Sequence, residues 1–186
     1  VIDSGLSKRS IYDPNSGMAR LVTQKISKSE ANQRMGRAGR LHPGICYKLW
    51  SKAQDGSFSD FPPSEIENSD LTPFALELAL WGSNINELAL LTRPKKKALS
   101  EAYKVLKMLG AVNEQLQITK NGRSLSEIPL HPRLAKIILA GGKDATLLAS
   151  ILSNGDPLNN MNNSDINVRI SSVKNYQNQK SDSSYS

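Results

Sequence analysis

The stretch Gln33–Arg40 reads QRMGRAGR, and its spacing decides most of what the sequence predicts. On an α-helix each residue turns the chain by about 100°, so Gln33, Arg37 and Arg40 fall within a sector of about 60°. Arg34 points well away from that sector. A guanidinium carries a planar fork of donors that matches phosphate oxygens and stays charged at any working pH. The stretch therefore predicts a helix face that contacts phosphate, with Gln33 placed to orient an attacking water.

A structural alternative exists for the same stretch, because cations are favoured at helix C-termini in any case. The basic residues would then lie on a solvated helix end, or would bind RNA backbone without specificity. Gly36 and Gly39 favour the phosphate site, since a residue without a side chain lets a bound nucleotide on a neighbouring domain approach closely.

The residues around this stretch alternate between strands and one helix. Ser27 and Glu30 have the spacing of a capping box, which predicts a helix start. That helix should end near Gly39 or Arg40, because Pro43 and its neighbours cannot continue it. Strands interleaved with a helix predict the end of an α/β layer. The expected strands are Val1–Asp3, Leu21–Ile26 and Ile45–Trp50, with a turn at Asp13–Gly17.

The remaining sequence predicts a second, mostly helical unit. Residues 51–67 lack apolar periodicity and contain two prolines, so they are expected to form a linker. Two helices followed by a hairpin have the outline of a winged helix. From Asn159 the sequence is rich in Asn and Ser, which predicts one weak helix face through Ile166, Ile170 and Val173 and disorder from residue 177. The expected elements are helices at Leu71–Trp81 and Ala98–Leu109, a hairpin at Ala111–Thr119, a helix opening at Asn121, and two helices within Pro132–Leu152.

The charge of the chain adds a second indication. Lys and Arg number 24 against 17 Asp and Glu, and such a basic surface attracts phosphate polyanions. Lys95, Lys96 and Lys97 fall in the first turn of a predicted helix, where the dipole disfavours each cation by about 0.3–1 kcal/mol. This placement predicts contact with nucleic-acid phosphates, although a tolerated, exposed run of lysines is the alternative.

The rarer residue types exclude several classes of site. Cys46 is the single cysteine, so the sequence has no disulfide framework or CxxC spacing and fits a reducing, cytoplasmic location. His42 and His131 are each expected to be structural, and no metal site is predicted. Trp50 and Trp81 lie in apolar patterns that favour core packing over base stacking. No apolar stretch is long enough to span a bilayer, so no membrane association is expected.

The QRxGRAGR spacing resembles motif VI of the DEAH/RHA helicases, a class of superfamily 2 RNA helicases. Residues 1–6 (VIDSGL) resemble the strand that follows motif V in that class, and residues 43–50 resemble the strand that closes its second RecA-like domain. Residues 77–82 (ELALWG) and 156–158 (DPL) look most like the bacterial HrpB subfamily. The resemblance extends from residue 1 to about residue 176.

By this resemblance the fold class is the α/β end of a RecA-like helicase domain, then a mostly α winged-helix domain, then the start of a helical ratchet-like domain. The corresponding boundaries are 1–50, a linker at 51–67, 68–127 and 128–176, with a tail at 177–186. The parent protein would be an ATP-dependent RNA helicase that couples NTP hydrolysis to movement along RNA, preferably single-stranded RNA. Arg37 and Arg40 would contact the γ-phosphate of Mg-ATP, Gln33 would position water or phosphate, and Gly36 would line the nucleotide site.

The chain departs from the class in two respects. Residues 91–97 read LTRPKKK, where the HrpB subfamily usually has an acidic residue and several prolines. The second and more serious departure is a missing phosphate loop. The chain contains no Gly-x4-Gly-Lys-[Ser/Thr] loop, because Asp144 follows Gly142-Lys143 and Ile137 stands where the first glycine is required. It contains no Asp-Glu-x-His either. The chain also opens at Val1 inside a predicted strand, without an initiator methionine. We therefore expect the phosphate loop on an upstream RecA-like domain of the same polypeptide, and no ATPase activity from these residues alone.

Two further hypotheses remain open at this level. The first is a non-enzymatic winged-helix module that reads duplex DNA with a helix in the major groove. The second is a structural interaction domain. Salt-dependent binding to nucleic acid distinguishes the first from the second, because only phosphate contacts release counterions.

Overall fold

The computed structural model describes residues 1–14, 16–142, 144–158 and 163–183, with side chains described as far as residue 177. These residues form two compact units. The first comprises residues 1–71 and 89–101, and the second comprises residues 72–88 and the residues from 102 onward. The division falls within one helix, Lys96–Met108.

The first unit contains two small sheets. A parallel pair places Ile2 opposite Tyr47, and an antiparallel ribbon runs from Leu6 opposite Lys25 to Asp13 opposite Met18. The ribbon ends in the predicted turn, where the Gly17 N–H donates to the Asp13 carbonyl at 2.9 Å. The elements of this unit are β1 (Ile2–Asp3), β2 (Leu6–Asp13), β3 (Met18–Lys25), α1 (Lys28–Gly36), β4 (Tyr47–Lys48), α2 (Lys52–Gly56) and α3 (Glu65–Asn68).

The segment 51–67, expected from its composition to be a linker, has secondary structure and contributes to the core of the first unit. It contains α2 and α3, and its Phe58 is buried with Ile26 and Ala31. Trp50 packs on this cluster, with its ring centroid 5.4 Å from that of Phe58. Its indole Nε1 donates to Asp55 at 2.8 Å. The expectation of core packing for Trp50 is confirmed, whereas a single aromatic anchor such as Phe58 leaves no periodic pattern in the sequence.

The second unit is helical, and the helices predicted from apolar periodicity are confirmed to within a few residues. Helix α4 packs against α6 and α7, α7 packs against α8, and α8 against α9. Leu78, Leu125 and Ala135 are almost completely buried at these contacts. None of the described helices is long and apolar enough to cross a membrane. The elements are α4 (Thr72–Trp81), a 3₁₀ turn (Ile85–Glu87), α5 (Lys96–Met108), α6 (Lys120–Ser126), α7 (Pro132–Ala140), α8 (Ala145–Asn154) and α9 (Ile166–Ser183).

Helix α9 is longer than the weak helix face in the sequence predicts. Its backbone is helical through residue 183 and so includes positions 177–183 of the expected tail. The remainder of that tail, residues 184–186, lies outside the described residues. Arg169 of α9 is buried and binds both carboxylate oxygens of Asp156 as well as the carbonyl oxygens of Asn163 and Asp165. This one side chain therefore attaches the start of α9 to the end of the preceding helical region.

The predicted hairpin between α5 and α6 is reduced to a single bridge between Val112 and Ile118. The Asn113 side chain closes the intervening turn, since its Oδ1 accepts from the N–H groups of Gln115 and Gln117 at 3.0 and 2.9 Å. Leu116 has a positive φ of 62° within that turn. The short hairpin expected at Ala111–Thr119 is therefore present, with one bridge and a turn that the Asn113 side chain closes.

Trp81 corrects a prediction. The sequence favoured core packing for it, yet its side chain is 62% exposed. It is the last residue of α4, and Gly82 follows with a φ of 70°. Trp81 continues the apolar periodicity of α4 in the sequence, but at the end of the helix its side chain is not covered by the neighbouring helices.

Gly122 tests the packing of α6. A Cβ at this buried position would lie 2.1 Å from the Ala111 carbonyl oxygen, so α6 would have to move away from it. We expect Gly122→Ala to lower the free energy of unfolding by about 1–3 kcal/mol, the usual cost of overpacking. Urea denaturation followed by circular dichroism measures the change.

The matched control is Gly56→Ala in α2, where an added Cβ meets nothing within 4 Å. There we expect a neutral or stabilising change, because alanine has the higher helix propensity. Equal effects at the two glycines would contradict the assigned contact between α6 and residue 111.

Candidate functional site

Helix α1, which carries the first half of the QRMGRAGR stretch, begins at a complete capping box. The Ser27 hydroxyl accepts from the Glu30 N–H at 3.2 Å, and the Glu30 carboxylate accepts from the Ser27 N–H at 2.7 Å. The next two N–H groups, of Lys28 and Ser29, donate to the carbonyl oxygens of Ser59 and Asp60. The first-turn donors that a helix leaves unpaired are thus satisfied, which fixes where α1 begins. The helix start predicted from the sequence is confirmed.

The Glu30 carboxylate also anchors β2 to α1. It pairs with the Arg9 guanidinium, and the two side chains are 23% and 17% exposed respectively. Burial, the largest single influence, raises the pKa of Glu30. The hydrogen bonds from the Ser27 backbone and hydroxyl, with the positive charges of Arg9 and Arg34, outweigh it and hold this pKa below its ordinary value. The capping carboxylate is therefore ionised in the neutral range.

The C-terminal end of α1 differs from the prediction. The helix ends at Gly36, not near Gly39 or Arg40, and Arg37 is its C-cap. The Arg37 and Ala38 N–H groups donate to carbonyl oxygens three residues back, at 3.2 and 3.0 Å. Such bonds tighten the final turn, and glycine disfavours helix by about 1 kcal/mol relative to alanine. Helical spacing therefore relates Gln33 only to Arg37, and the predicted helix position of Arg40 is wrong, because Arg40 lies in the turn beyond the helix.

The three predicted phosphate contacts are all solvent-exposed. Gln33, Arg37 and Arg40 each lie in the exposed class, and none makes a side-chain hydrogen bond or ion pair with another described residue. They are therefore not neutralised by carboxylates within residues 1–14, 16–142, 144–158 and 163–177. An exposed guanidinium without a local partner remains able to bind an anion from outside the chain.

The glycines of the turn play two different parts. An added Cβ at Gly36 or Gly39 would meet nothing within 4 Å, so packing within the described chain does not require a glycine at either position. A Cβ at Gly44, in contrast, would lie 1.8 Å from the Ala38 carbonyl oxygen. The returning chain thus passes directly against the turn between Arg37 and Arg40. No pattern in the sequence predicts this role of Gly44, because it depends on a contact made across the turn.

Arg34, which the helical wheel separates from the other basic residues, has its own partners. Its Nη1 donates to Asp3 Oδ1 at 2.9 Å and to the Leu6 carbonyl oxygen at 3.0 Å. The Asp3 side chain is only 2% exposed. This ion pair joins β1 to the last turn of α1, and no pattern in the sequence connects residues so far apart.

Comparison with known proteins relates the chain to described families. A family model described as "Helicase associated domain (HA2), winged-helix" matches residues 102–130. That range covers the end of α5, the turn closed by Asn113, and α6. The winged-helix outline expected from two helices and a short hairpin is therefore supported by an independent match.

Relatives extend the similarity over most of the chain. The chain is 37% identical over 167 residues to the probable ATP-dependent RNA helicase DHR1 of Saccharomyces cerevisiae. The aligned region covers 86% of this chain and 13% of that relative. The chain is 34% identical over 169 residues to the human ATP-dependent RNA helicase DHX33, covering 86% of this chain and 24% of that protein. The crystal structure of Escherichia coli DEAH/RHA helicase HrpB matches 91% of this chain and 22% of its own, at a TM-score of 0.81 and 33% identity. The chain belongs to the DEAH/RHA class of helicases.

The lysine run and the two histidines of this DEAH/RHA chain lie at helix ends and in a bend. Lys95 precedes α5, Lys96 and Lys97 lie in its first turn, and all three are exposed. His131 is the N-cap of α7, where its Nδ1 accepts from the Arg133 N–H at 3.2 Å, which confirms a structural role. His42 is exposed in the bend after the arginine-bearing turn, as a turn residue should be.

The lowered pKa of Glu30 predicts a pH dependence for the stability of the chain. A carboxyl whose pKa is lower in the folded state stabilises the fold above its unfolded pKa, about 4.3, and this stabilisation is lost as pH falls through the folded value. Glu30→Gln keeps an acceptor for the capping box and removes the charge. We expect it to lower the free energy of unfolding at pH 7 and to reduce the loss of stability between about pH 4.3 and pH 2.

Chemical denaturation across that range measures both changes. The control is Glu127→Gln, an exposed carboxyl at the C-cap of α6. An acid transition equally steep in Glu30→Gln and in the unsubstituted chain would contradict the assigned linkage.

Proposed function

We propose that this chain supplies the arginine-bearing side of the nucleotide site in an ATP-dependent RNA helicase, which couples NTP hydrolysis to movement along RNA. The observation that carries the proposal is the exposure of Arg37 and Arg40, beside Gln33, without carboxylate partners among the described residues. The helicases named above cover this chain over most of its length, while the chain spans only 13–24% of theirs. The activity of the whole protein is therefore inferred from relatives and from this turn together.

The donor chemistry fits a triphosphate. Two guanidiniums offer planar sets of N–H donors to oxygens that gain charge as the γ-phosphoryl group transfers, and an amide offers both a donor and an acceptor to water. The open space around Gly36 leaves room for such a group to approach the turn. Mg-ATP, when bound, supplies the phosphoryl group and the electrophile. Arg37 and Arg40 stabilise the developing charge, and Gln33 orients water or phosphate.

The proposed arrangement of domains follows the same family. Residues 1–50 complete the second RecA-like domain, and the segment 51–67 packs on that domain through Phe58. Residues 68–127 form the winged-helix domain, and residues 128–176 begin a helical ratchet-like domain. The phosphate loop and magnesium carboxylates lie on the preceding RecA-like domain of the same polypeptide. The enzyme acts in the cytoplasm, in keeping with its single Cys46, and single-stranded RNA is its substrate.

The arginines give the direct test. In the full-length enzyme, Arg37→Ala and Arg40→Ala should each lower the RNA-stimulated kcat for ATP hydrolysis by roughly 10³-fold or more, because an arginine finger contributes about 10³–10⁵ in rate. Binding of RNA in the absence of nucleotide should not change. Steady-state phosphate release measures the first quantity, and fluorescence anisotropy of labelled RNA measures the second.

The matched control is Arg123→Ala, which removes an equally exposed guanidinium from α6. Its kcat should equal that of the parent enzyme. An unchanged kcat in both Arg37→Ala and Arg40→Ala would remove the catalytic assignment and would favour the non-enzymatic winged-helix hypothesis.

The lysines at α5 are the proposed nucleic-acid contacts. Lys95, Lys96 and Lys97 are exposed, and α5 has no acidic residue in its first turn. Cations at a helix N-terminus interact unfavourably with the helix dipole, so these lysines destabilise α5 slightly. A bound phosphate would offset that cost. Phosphate contacts of this kind anchor RNA without reading its sequence.

Exchanging Lys96 and Lys97 for glutamine tests this role. If each lysine contacts one phosphate of single-stranded RNA, the slope of log K against log salt should fall by about 1.4 in magnitude. Stability should be unchanged or slightly increased, because the dipole disfavoured both charges. Anisotropy titrations at several salt concentrations give the slope for single-stranded RNA and for duplex DNA.

The control exchanges Lys52 and Lys120, two exposed lysines elsewhere, for glutamine with the same change in net charge. An identical loss of slope in both double variants would mean that the net charge matters and the position does not. Tighter binding of duplex DNA than of single-stranded RNA would support the duplex-reading alternative.

A further inference from the structure

Arg34 and Asp3 join the arginine-bearing turn to the first strand through a buried contact. Asp3 is the last residue of β1, and its side chain is 2% exposed. Its Oδ1 accepts from Arg34 Nη1 at 2.9 Å and from the Gly5 N–H at 3.0 Å. Its Oδ2 is buried and accepts no hydrogen bond from any described residue. Arg34 is therefore the one described cation that pairs with this carboxylate.

The position of Asp3 is itself fixed. Gly5, whose N–H holds the carboxylate, has a φ of 72°, and a Cβ there would lie 2.9 Å from the Trp50 ring. Trp50 in turn packs on the core with Phe58. The Asp3 carboxylate therefore lies next to the packed core of the first unit. The Arg34 side chain binds this carboxylate and the Leu6 carbonyl oxygen.

The backbone of Arg34 leads directly to the catalytic turn. Its carbonyl oxygen accepts from the Arg37 N–H at 3.2 Å. The side chains of Arg37 and Arg40 make no hydrogen bond or ion pair with the described residues. The turn is fixed by the backbone at Arg34 on one side and by the passage of Gly44 against Ala38 on the other.

We propose that the Asp3–Arg34 ion pair positions the turn that presents Arg37 and Arg40, so that Asp3 and Arg34 are positioning residues for ATP hydrolysis. This inference rests on the proposed function. Arg34 acts here through its Nη1 contacts with Asp3 and the Leu6 carbonyl oxygen, not through a contact of its own with phosphate. A shift of the turn by about 1 Å would misplace both guanidiniums, and a displacement of that size can lower a rate by about 100-fold.

The experiment uses the full-length enzyme and two matched ion pairs. Arg34→Met keeps most of the apolar stem of the side chain and removes its donors at the C-terminal end of α1. Arg9→Met does the same to the partner of Glu30 at the N-terminal end. We expect both variants to lower the thermal unfolding midpoint, but only Arg34→Met to lower kcat by about tenfold or more, with the affinity for RNA unchanged. Arg34→Lys, which can still pair with Asp3, should recover most of the rate.

A double variant distinguishes a loss of folding from a displacement of the turn that carries Arg37 and Arg40. Removing Arg34 alone leaves a buried carboxylate without a cation, which can prevent folding. Asp3→Asn combined with Arg34→Met removes both charges and should restore the unfolding midpoint while kcat stays low. Recovery of kcat together with the midpoint would overturn the positioning role, as would equal losses of kcat in Arg34→Met and Arg9→Met. Unchanged rates in both the Arg37→Ala and the Arg40→Ala enzymes in the same assay would instead overturn the proposed function.

Discussion

The Glu30 carboxylate determines where the arginine-bearing helix begins. It accepts from the Ser27 N–H and hydroxyl and pairs with Arg9 of β2, so one side chain joins the helix cap to the antiparallel ribbon. Each of these bonds favours the ionised carboxylate over the protonated form. The cap thus joins the N-terminal end of α1 to the ribbon, while the Asp3–Arg34 pair joins the other end of α1 to β1.

The two ends of α1 serve different purposes. The N-terminal end is satisfied by Ser27, Glu30 and the carbonyl oxygens of Ser59 and Asp60, and it leaves few donors for any ligand. The C-terminal end tightens and stops at Gly36, and its arginines project from a turn that the described side chains leave uncovered. A catalytic arginine must be held in position and yet be free of local partners. In the proposed role, Arg34 and backbone contacts hold the turn, while Arg37 and Arg40 make no hydrogen bond or ion pair with the described residues.

Particular residues show how far the sequence could be read. The capping box at Ser27, the turn before Gly17 and the helices between residues 72 and 154 follow from local patterns, and the structure has them. The QRMGRAGR spacing predicts an end of α1 three or four residues beyond the observed end at Gly36. Glycine weakens the helix there, although the spacing of polar side chains continues past it. Phe58 and Trp81 were misjudged in opposite directions, since burial depends on what else packs at a position.

The sequence by itself determined which chemistry the chain can present: a glutamine and two arginines at a spacing typical of one helicase class, in the last turn of a helix with a definite start and in the residues just after it. Those features depend on residues within a few positions of one another, and the physics of caps, dipoles and helical turns acts over that range. Only the tertiary structure decided that Arg34 pairs with Asp3, that Gly44 passes against Ala38, and that Phe58 belongs to the core. These contacts join distant parts of the chain, and their energies depend on burial that no local pattern encodes.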